Sequence, residues 1–171
     1  MLWKINKFIL FLLPFTLACA TEIDVGFSPS QGGLGLVLKA INSAKQNICM
    51  ATYSFTSRPV VSALMAAQER GVKIKIVSDE KANSGKYTAT RYLANHGFNV
   101  RLNGNYAIMH NKFIVVDNKT VETGSFNYSA AAVKKNAENV IVIWGNQDIA
   151  TAYNNECNRL FNEATPLAKS Y

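Results

Sequence analysis

The stretch from His110 to Asn127 constrains the fold of this chain more than any other. It opens with His110-Asn111-Lys112 and continues as the apolar run Phe113-Ile114-Val115-Val116. β-Branched and aromatic residues in such a run favour a buried strand, so the sequence predicts a strand over residues 110–116. Because successive side chains of a strand point to opposite faces, His110 and Lys112 are expected on one face, where an imidazole and an ammonium can bind a phosphate.

The second half of the stretch predicts a hairpin. Residues 117–119 are polar and suit a turn, and residues 120–123 suit a second short strand. Gly124-Ser125 then ends the hairpin in a tight turn, and Ser125 and Asn127 add small hydrogen-bond donors. A helix predicted over residues 128–135 would present free backbone N–H groups to an anion. This set of groups suggests phosphoryl transfer.

The spacing of these residues resembles the signature of the phospholipase D superfamily, which reads His-x-Lys, four residues, Asp, six residues, and Gly-Ser-x-Asn. The motif occurs once, and single-motif chains of this length resemble the bacterial endonuclease branch of that superfamily, whose active site is completed by a second identical subunit. Four further segments look like the same branch: Phe27-Ser28-Pro29, Ile48 to Phe55, Ala67 to Asp79, and Asn136-Ala137-Glu138-Asn139.

The resemblance implies roles for the motif residues. His110 would attack a phosphodiester phosphorus and form a phosphohistidine, and His110 of the second subunit would protonate the leaving oxygen. Lys112 and Asn127 would hold the phosphate oxygens, with Ser125 as an assisting donor. This mechanism implies a metal-independent enzyme without a cofactor, and the sequence has no acidic cluster of metal-binding type around the motif.

Three other residues near the motif have expected roles. Strand alternation turns Asp117 away from His110 and Lys112, so Asp117 is expected to be structural and to tie down the hairpin turn or a backbone N–H group. Gly124 is likewise expected to be structural. Glu138 matches the family's glutamate that bonds the catalytic imidazole, and the alternative is a strand-edge glutamate in solvent.

Strands and helices alternate along the rest of the chain, which predicts a single α/β domain over residues 21–171. We expect a mixed, mostly parallel sheet with helices on both faces, the fold that the resemblance also implies. Predicted strands cover residues 22–27, 48–55, 72–77, 98–102 and 138–144, and predicted helices cover residues 34–44, 56–70 and 148–161. Another helix is expected to end near residues 95–97, after a polar, basic loop at residues 81–86.

Residues 1–20 are predicted to be a targeting segment. Lys4 and Lys7 form a basic start, residues 8–17 are apolar, and Ala18-Cys19-Ala20 suits cleavage before Thr21. Cleavage would make the protein exported, either periplasmic or secreted. The alternative is a membrane anchor, through a lipid on Cys19 or an uncleaved helix.

The charge of the chain suits a polyanionic partner. The net charge of +7 falls to +5 when Lys4 and Lys7 are removed, which fits nucleic acid or an anionic membrane surface. A groove for a phosphate backbone is predicted from Arg58, Lys81 and Lys86, with Tyr87 available to stack a base. The alternative interpretation of these residues is a solvated basic loop.

Two cysteines, Cys49 and Cys157, follow the targeting segment. A disulfide between them is conceivable in an exported protein, but we expect Cys49 to be a buried small hydrophobe, because two cysteines do not establish geometry. Neither cysteine has a metal-ligand neighbour at a suitable spacing, so no zinc site is predicted.

The function predicted from these observations is a homodimeric endonuclease acting on DNA, with RNA as a further candidate substrate. The first alternative is a phospholipase D-type lipid phosphodiesterase at a membrane. The second alternative is a nucleic-acid-binding protein that has lost turnover.

Overall fold

The structure, a computed structural model, describes residues 21–29, 32–86 and 88–170 of the 171-residue chain. The predicted targeting segment, residues 1–20, lies outside the described residues. The strands of the described part are β1 (Glu22–Ser28), β2 (Asn47–Thr52), β3 (Lys73–Asp79), β4 (Asn99–Asn103), β5 (Phe113–Val116), β6 (Thr120–Gly124), β7 (Glu138–Trp144) and β8 (Thr165–Pro166). Its helices are α1 (Gly33–Ser43), α2 (Arg58–Glu69), α3 (Glu80–Asn83), α4 (Ala89–Asn95), α5 (Ala130–Lys134) and α6 (Gln147–Asn162).

The strands form one mixed sheet in the order β1-β7-β6-β5-β2-β3-β4-β8. The predicted single α/β domain with a mixed sheet and helices on both faces is confirmed. The expectation of a mostly parallel sheet is wrong, because among the described strands two pairings are parallel and five are antiparallel. The short turn at residues 117–119 forces β5 and β6 to run in opposite directions, since a parallel connection needs a dozen or more residues. β1, β7 and β8 also pair in the antiparallel sense.

Each face of the sheet carries its own apolar core. Helices α1, α2 and α4 pack on one face, and α6 packs on the other. β5 shows this division most clearly, because Ile114 and Val116 join the first core while Phe113 and Val115 join the second. Burial on both faces explains why β5 has a continuous apolar sequence without polar alternation.

The predicted elements recur with small shifts of their ends. The predicted helix over residues 56–70 is α2, with Pro59 in its first turn and Gly71 just beyond its end. Gly71 has a φ of 87°, a left-handed conformation that glycine adopts without strain. α3 and β8 are not predicted from the sequence, because with four and two residues they are too short to show a periodic pattern. No helix in the described ranges is long and apolar enough to cross a membrane.

Cys49 and Cys157 form a disulfide, so the expectation that Cys49 is a free buried hydrophobe is wrong. Cys49 lies on β2 and Cys157 on α6. Because α6 packs across the second face, the two Cα atoms come within 6.3 Å, a separation that a disulfide spans. The cysteines are 108 residues apart, so their pairing depends on this packing and cannot be read from their spacing.

Candidate active site

The predicted site residues collect at one edge of the sheet. β2 and β6 end at this edge, and β5 and β7 begin there, because each neighbouring pair in this part of the sheet is antiparallel. His110 and Lys112 precede β5, Ser125 and Asn127 follow β6, and Glu138 is the first residue of β7. The fold therefore brings both ends of the motif to one place.

The motif strand is shorter than predicted. β5 begins at Phe113 because β2 pairs with it only as far as Ala51 and then leaves the sheet after Thr52. His110 and Lys112 thus lie in an irregular segment, and the argument from strand alternation does not apply to them. The His110 side chain is exposed, whereas Lys112 is 8% exposed and donates from Nζ to the His110 carbonyl oxygen at 2.6 Å.

Tyr53 contacts both of these groups. Its ring centroid lies 4.7 Å from that of His110 in an edge-to-face arrangement, and 5.7 Å from Nζ of Lys112. Asn83 donates from Nδ2 to the Tyr53 carbonyl oxygen at 2.5 Å, which anchors the tyrosine to α3. Tyr53 is not among the predicted site residues, and its position directly after the carboxyl end of β2 is the one sequence signal that points to it.

Asp79 is a second residue at the site that is not predicted from the sequence. Its carboxylate is 2% exposed and accepts hydrogen bonds from the backbone N–H groups of Met109 at 2.9 Å and Ala82 at 2.8 Å. The first bond ties the residue before His110 to β3, and the second caps α3. Its place at the carboxyl end of a parallel strand, where ligand sites of α/β sheets gather, is a signal that points to it.

Glu138 and Ser125 form a pair beside the motif lysine. The Ser125 hydroxyl donates to Oε2 of Glu138 at 2.6 Å, and Asn136 donates to Oε1 at 2.9 Å. Within the described chain no hydrogen bond joins Glu138 to His110, so the expected carboxylate–imidazole bond is not formed inside one subunit. Burial lowers the pKa of Lys112 below its usual value, and the nearby negative charge of Glu138 opposes this shift in part.

A buried hydrogen-bond network holds the segment that carries Asn127. The Tyr128 carbonyl oxygen accepts from the N–H groups of Thr56 and Ser57, both at 2.9 Å. The Tyr128 hydroxyl donates to Oε2 of Glu122 at 2.6 Å. Burial raises the pKa of Glu122 to about 8. Oδ1 of Asn127 is buried without a hydrogen-bond partner among the described residues, which leaves one acceptor of the site unsatisfied.

Asp117 lies at the other end of β5, away from His110. Its carboxylate accepts hydrogen bonds of 2.8 to 2.9 Å from the backbone N–H groups of Lys45, Gln46 and Asn47. These bonds tie the hairpin turn to the start of β2, which is the kind of role expected for this residue. Gly124 permits the close approach of β6 and β7, because a β-carbon there would overlap the carbonyl oxygen of Asn139.

The helix that follows the motif does not provide the expected anion site. α5 has five residues, where the sequence predicted a helix over residues 128–135. Two N–H groups at its start already have side-chain partners, since Ala130 donates to Thr56 Oγ1 and Ala132 donates to Ser129 Oγ, both at 3.2 Å. The prediction of a free helix terminus at the site is therefore wrong.

Three of the four residues predicted to form a basic groove lie in the described part of the chain. Arg58 is exposed at the start of α2, and Lys81 in α3 donates to the Ala107 carbonyl oxygen at 3.5 Å. Lys86 is exposed shortly before α4, and Tyr87 lies outside the described residues. In the described ranges no three His, Cys, Asp or Glu side chains are grouped closely enough to hold a metal ion.

Comparisons with known proteins agree with this architecture. A family model described as "Cardiolipin synthase, PLD-like domain" matches residues 37–161. The curated relative "Phospholipase D" of Rickettsia conorii is 36% identical over 133 residues, which are 78% of this chain and 66% of that protein. "Mitochondrial cardiolipin hydrolase" of Mus musculus is 26% identical over 142 residues, 83% of this chain and 64% of that protein.

A solved structure is similar to this chain in both fold and sequence. The crystal structure of Nuc from Salmonella typhimurium, a phospholipase D family member, has a TM-score of 0.85 and 43% sequence identity. The match covers 88% of this chain and 100% of that one. The chain spans slightly less than two thirds of the length of the curated relatives it matches.

Proposed function

Because this chain belongs to the phospholipase D superfamily, we propose that it is a metal-independent phosphodiesterase that cleaves DNA as an endonuclease, with RNA as the alternative nucleic-acid substrate. The supporting observation is that His110, Lys112 and Asn127 lie at one edge of the sheet with the imidazole exposed. The single motif and the full-length match to Nuc favour the single-motif branch of the superfamily.

In the first proposed step, a ring nitrogen of His110 attacks the phosphorus of a phosphodiester. A P–N bond forms as the P–O bond to the leaving group breaks, and the protonated His110 of a second subunit donates its proton to the departing oxygen. Lys112 and Asn127 stabilise the charge on the non-bridging oxygens.

In the second proposed step, water replaces the histidine. The now neutral His110 of the second subunit removes a proton from water, the water oxygen attacks the phosphorus, and the P–N bond breaks. The products are a phosphate monoester and free His110. Ser125 holds the Glu138 carboxylate at 2.6 Å, and this carboxylate compensates the positive charge that develops at the site.

The mechanism needs two imidazoles, which supports a homodimer. The chain has two histidines, and His96 precedes β4 at the opposite edge of the sheet, where it stacks on Tyr92. A second copy of His110 must therefore come from a second chain.

An apolar strip on β1 supports the same assembly. Ile23, Val25 and Phe27 are 54%, 59% and 48% exposed and lie on the sheet face that α6 covers further along. The strip ends next to Ser28, which pairs with Glu138, so it leads to the site. A second subunit packed on this strip would bury apolar surface and bring the two sites together.

Two alternatives follow from the sequence analysis, and the comparisons support the first of them. The names of the curated relatives, phospholipase D and cardiolipin hydrolase, favour a lipid phosphodiesterase with the same chemistry at a membrane. A nucleic-acid-binding protein without turnover is the second alternative. We further propose export to the periplasm or the medium after cleavage of residues 1–20, with a membrane anchor if that segment is retained or lipidated.

The test compares the purified protein with its His110→Ala variant in excess chelator, on supercoiled plasmid and on phospholipid vesicles. Nicking of the plasmid by the wild type and not by the variant is the expected result. Cleavage of phospholipid with an intact plasmid would favour the lipid alternative, and binding to DNA without cleavage would favour the second alternative.

A further inference from the structure

A groove of about 610 Å³ runs between α2 and α4. One stripe of α2 forms its floor, with Arg58 at one end, Ser62 and Met65 in the middle and Glu69 at the other end. This stripe follows the whole helix, a length of about 16 Å at 1.5 Å per residue. Tyr92 of α4 stands on the opposite wall.

One end of the groove is connected by hydrogen bonds to the segment that follows Asn127. Thr56 lines this end, and it is bonded to the segment that carries Asn127 through its Oγ1, which accepts from Ala130, and its N–H, which donates to the Tyr128 carbonyl oxygen. Tyr53, three residues earlier, contacts the His110 ring. Both contacts place this end of the groove on the side of the molecule that carries His110, so a chain molecule bound at His110 can extend toward it.

The charges of the groove suit a phosphate at one end. Among the described residues that line it, Arg58 is the one cation and lies at the site end, and Glu69 is the one anion and lies at the far end. A phosphate is attracted near Arg58 and repelled near Glu69. The middle offers the apolar Met65 and the hydroxyl of Ser62, which suit a sugar and a base better than a second charge.

Tyr92 is a preformed stacking platform on the groove wall. Its ring stacks on His96 with centroids 4.1 Å apart, and the His96 Nδ1 atom lies 2.8 Å from the Tyr92 carbonyl oxygen. The tyrosine nevertheless remains 45% exposed. A ring that is already held in place loses little freedom when a base stacks on it.

We propose that this groove binds a short unpaired stretch of the nucleic-acid substrate beside the scissile phosphate, with a phosphate at Arg58 and a base stacked on Tyr92. The occupant is a single strand because the bases of a duplex already stack on each other. A lipid acyl chain suits the groove poorly, since the groove is charged at both ends. The inference rests on the proposed nuclease function and adds a specificity site outside the motif.

The test uses two substrates that separate binding from chemistry. Bis(4-nitrophenyl) phosphate needs the motif residues alone, whereas a fluorescent single-stranded 20-mer also needs the groove. Ser62→Glu places a carboxylate in the groove and is expected to raise KM for the 20-mer about tenfold or more. Ser62→Arg is expected to lower that KM. Gln68→Glu is the matched control, since it puts the same charge on α2 outside the groove lining.

A second pair of variants tests the platform. Tyr92→Leu is expected to raise KM for the 20-mer at least about fivefold, and Tyr92→Phe is expected to behave as the wild type. None of these variants should change kcat or KM for bis(4-nitrophenyl) phosphate.

The outcomes distinguish a failure of the groove proposal from a failure of the proposed nuclease function. If the wild type cleaves the 20-mer and the groove variants match it, or if Gln68→Glu has the same effect as Ser62→Glu, the groove proposal is overturned and the nuclease function stands. If the wild type nicks supercoiled plasmid and does not cleave the 20-mer, the groove proposal is again overturned and the nuclease function stands. If it cleaves the small phosphodiester but neither the plasmid nor the 20-mer, the nuclease function fails and the groove proposal fails with it.

Discussion

Glu122 of β6 carries a buried carboxyl group, and the Tyr128 hydroxyl is its hydrogen-bond partner. Burial raises its pKa from 4.5 to about 8, so between these two pH values the folded chain holds a proton that the unfolded chain has released. The stabilising effect of this proton is complete below about pH 4.5, and it is lost as the pH rises through about 8.

Replacing the Glu122 carboxyl should remove its contribution to the pH dependence of the free energy of unfolding. Glu122→Gln keeps an oxygen that accepts from Tyr128 and cannot ionise. Between pH 4.5 and 8 we expect wild-type stability to fall by up to about 5 kcal/mol relative to the variant. Urea unfolding of both proteins across this range measures the difference, and parallel curves would contradict the assignment.

Tyr53 permits a second test at the scale of one side chain. Tyr53→Leu removes the ring that packs against His110 at 4.7 Å, and Tyr53→Phe keeps it. We expect kcat to fall about tenfold to a hundredfold in the leucine variant, because a misplaced catalytic group costs rate more than binding. The phenylalanine variant should retain most of the wild-type kcat.

The two histidines make the accompanying NMR measurement simple. The ring protons of His110 should shift in Tyr53→Leu and stay in place in Tyr53→Phe, while those of His96 serve as an internal reference. An unchanged His110 signal in the leucine variant would show that Tyr53 does not position the imidazole.

The β5–β6 hairpin depends on Asp117 for its attachment to β2. Burial by itself would raise the pKa of this carboxyl, but the three backbone hydrogen bonds outweigh burial and the pKa falls below its ordinary value. Asp117→Asn removes the charge and puts an N–H₂ group where an acceptor is needed. We expect a loss of about 1 to 3 kcal/mol in the free energy of unfolding, measured by urea denaturation.

The neighbouring residue supplies the control for this hairpin. Asn118 has a φ of 54°, close to the 51° of Asp117, and its side chain is exposed. The opposite exchange, Asn118→Asp, should change stability little, because asparagine and aspartate both tolerate this conformation. Equal losses in the two variants would contradict the role of the Asp117 carboxylate.

The elements of the chain differ in how well the sequence predicts them. β5 was identifiable because Phe113 to Val116 are apolar and buried on both faces, but its start was placed three residues early. That start depends on where β2 leaves the sheet, which is a property of the neighbouring strand. Tyr53 and Asp79 are not predicted for the same reason, since each contacts the motif segment from a distant part of the chain, Tyr53 just after β2 and Asp79 at the end of β3.

The Cys49–Cys157 disulfide connects the central strand β2 to α6 within the second core. It closes a loop of 108 residues, for which the loss of unfolded-chain entropy corresponds to about 4.7 kcal/mol, within a usual range of about 2 to 5. Reduction, or Cys49→Ala together with Cys157→Ala, is expected to lower the urea midpoint accordingly. Reductant should have no effect on the double variant, and a wild type insensitive to reductant would contradict the bridge.

At the scale of the whole molecule, the features that the sequence does not predict are contacts between distant segments. The α/β class follows from alternating apolar patterns, and the motif residues follow from their spacing. The disulfide depends on a 6.3 Å approach of Cα atoms on β2 and α6. The position of β1 at one side of the sheet depends on its antiparallel pairing with β7. Both are contacts between segments more than 100 residues apart, which local patterns do not encode.

The pairing of β1 with β7 also sets the order in which the molecule can be completed during synthesis. Ser28 at the end of β1 pairs with Glu138 at the start of β7, so 110 residues must be added before the first strand meets its partner. At about 5 to 20 residues per second this takes about 5 to 20 s. For that time a strand carrying Ile23, Val25 and Phe27 lacks the partner that it has in the folded sheet, and the nascent chain needs protection from aggregation at this strand.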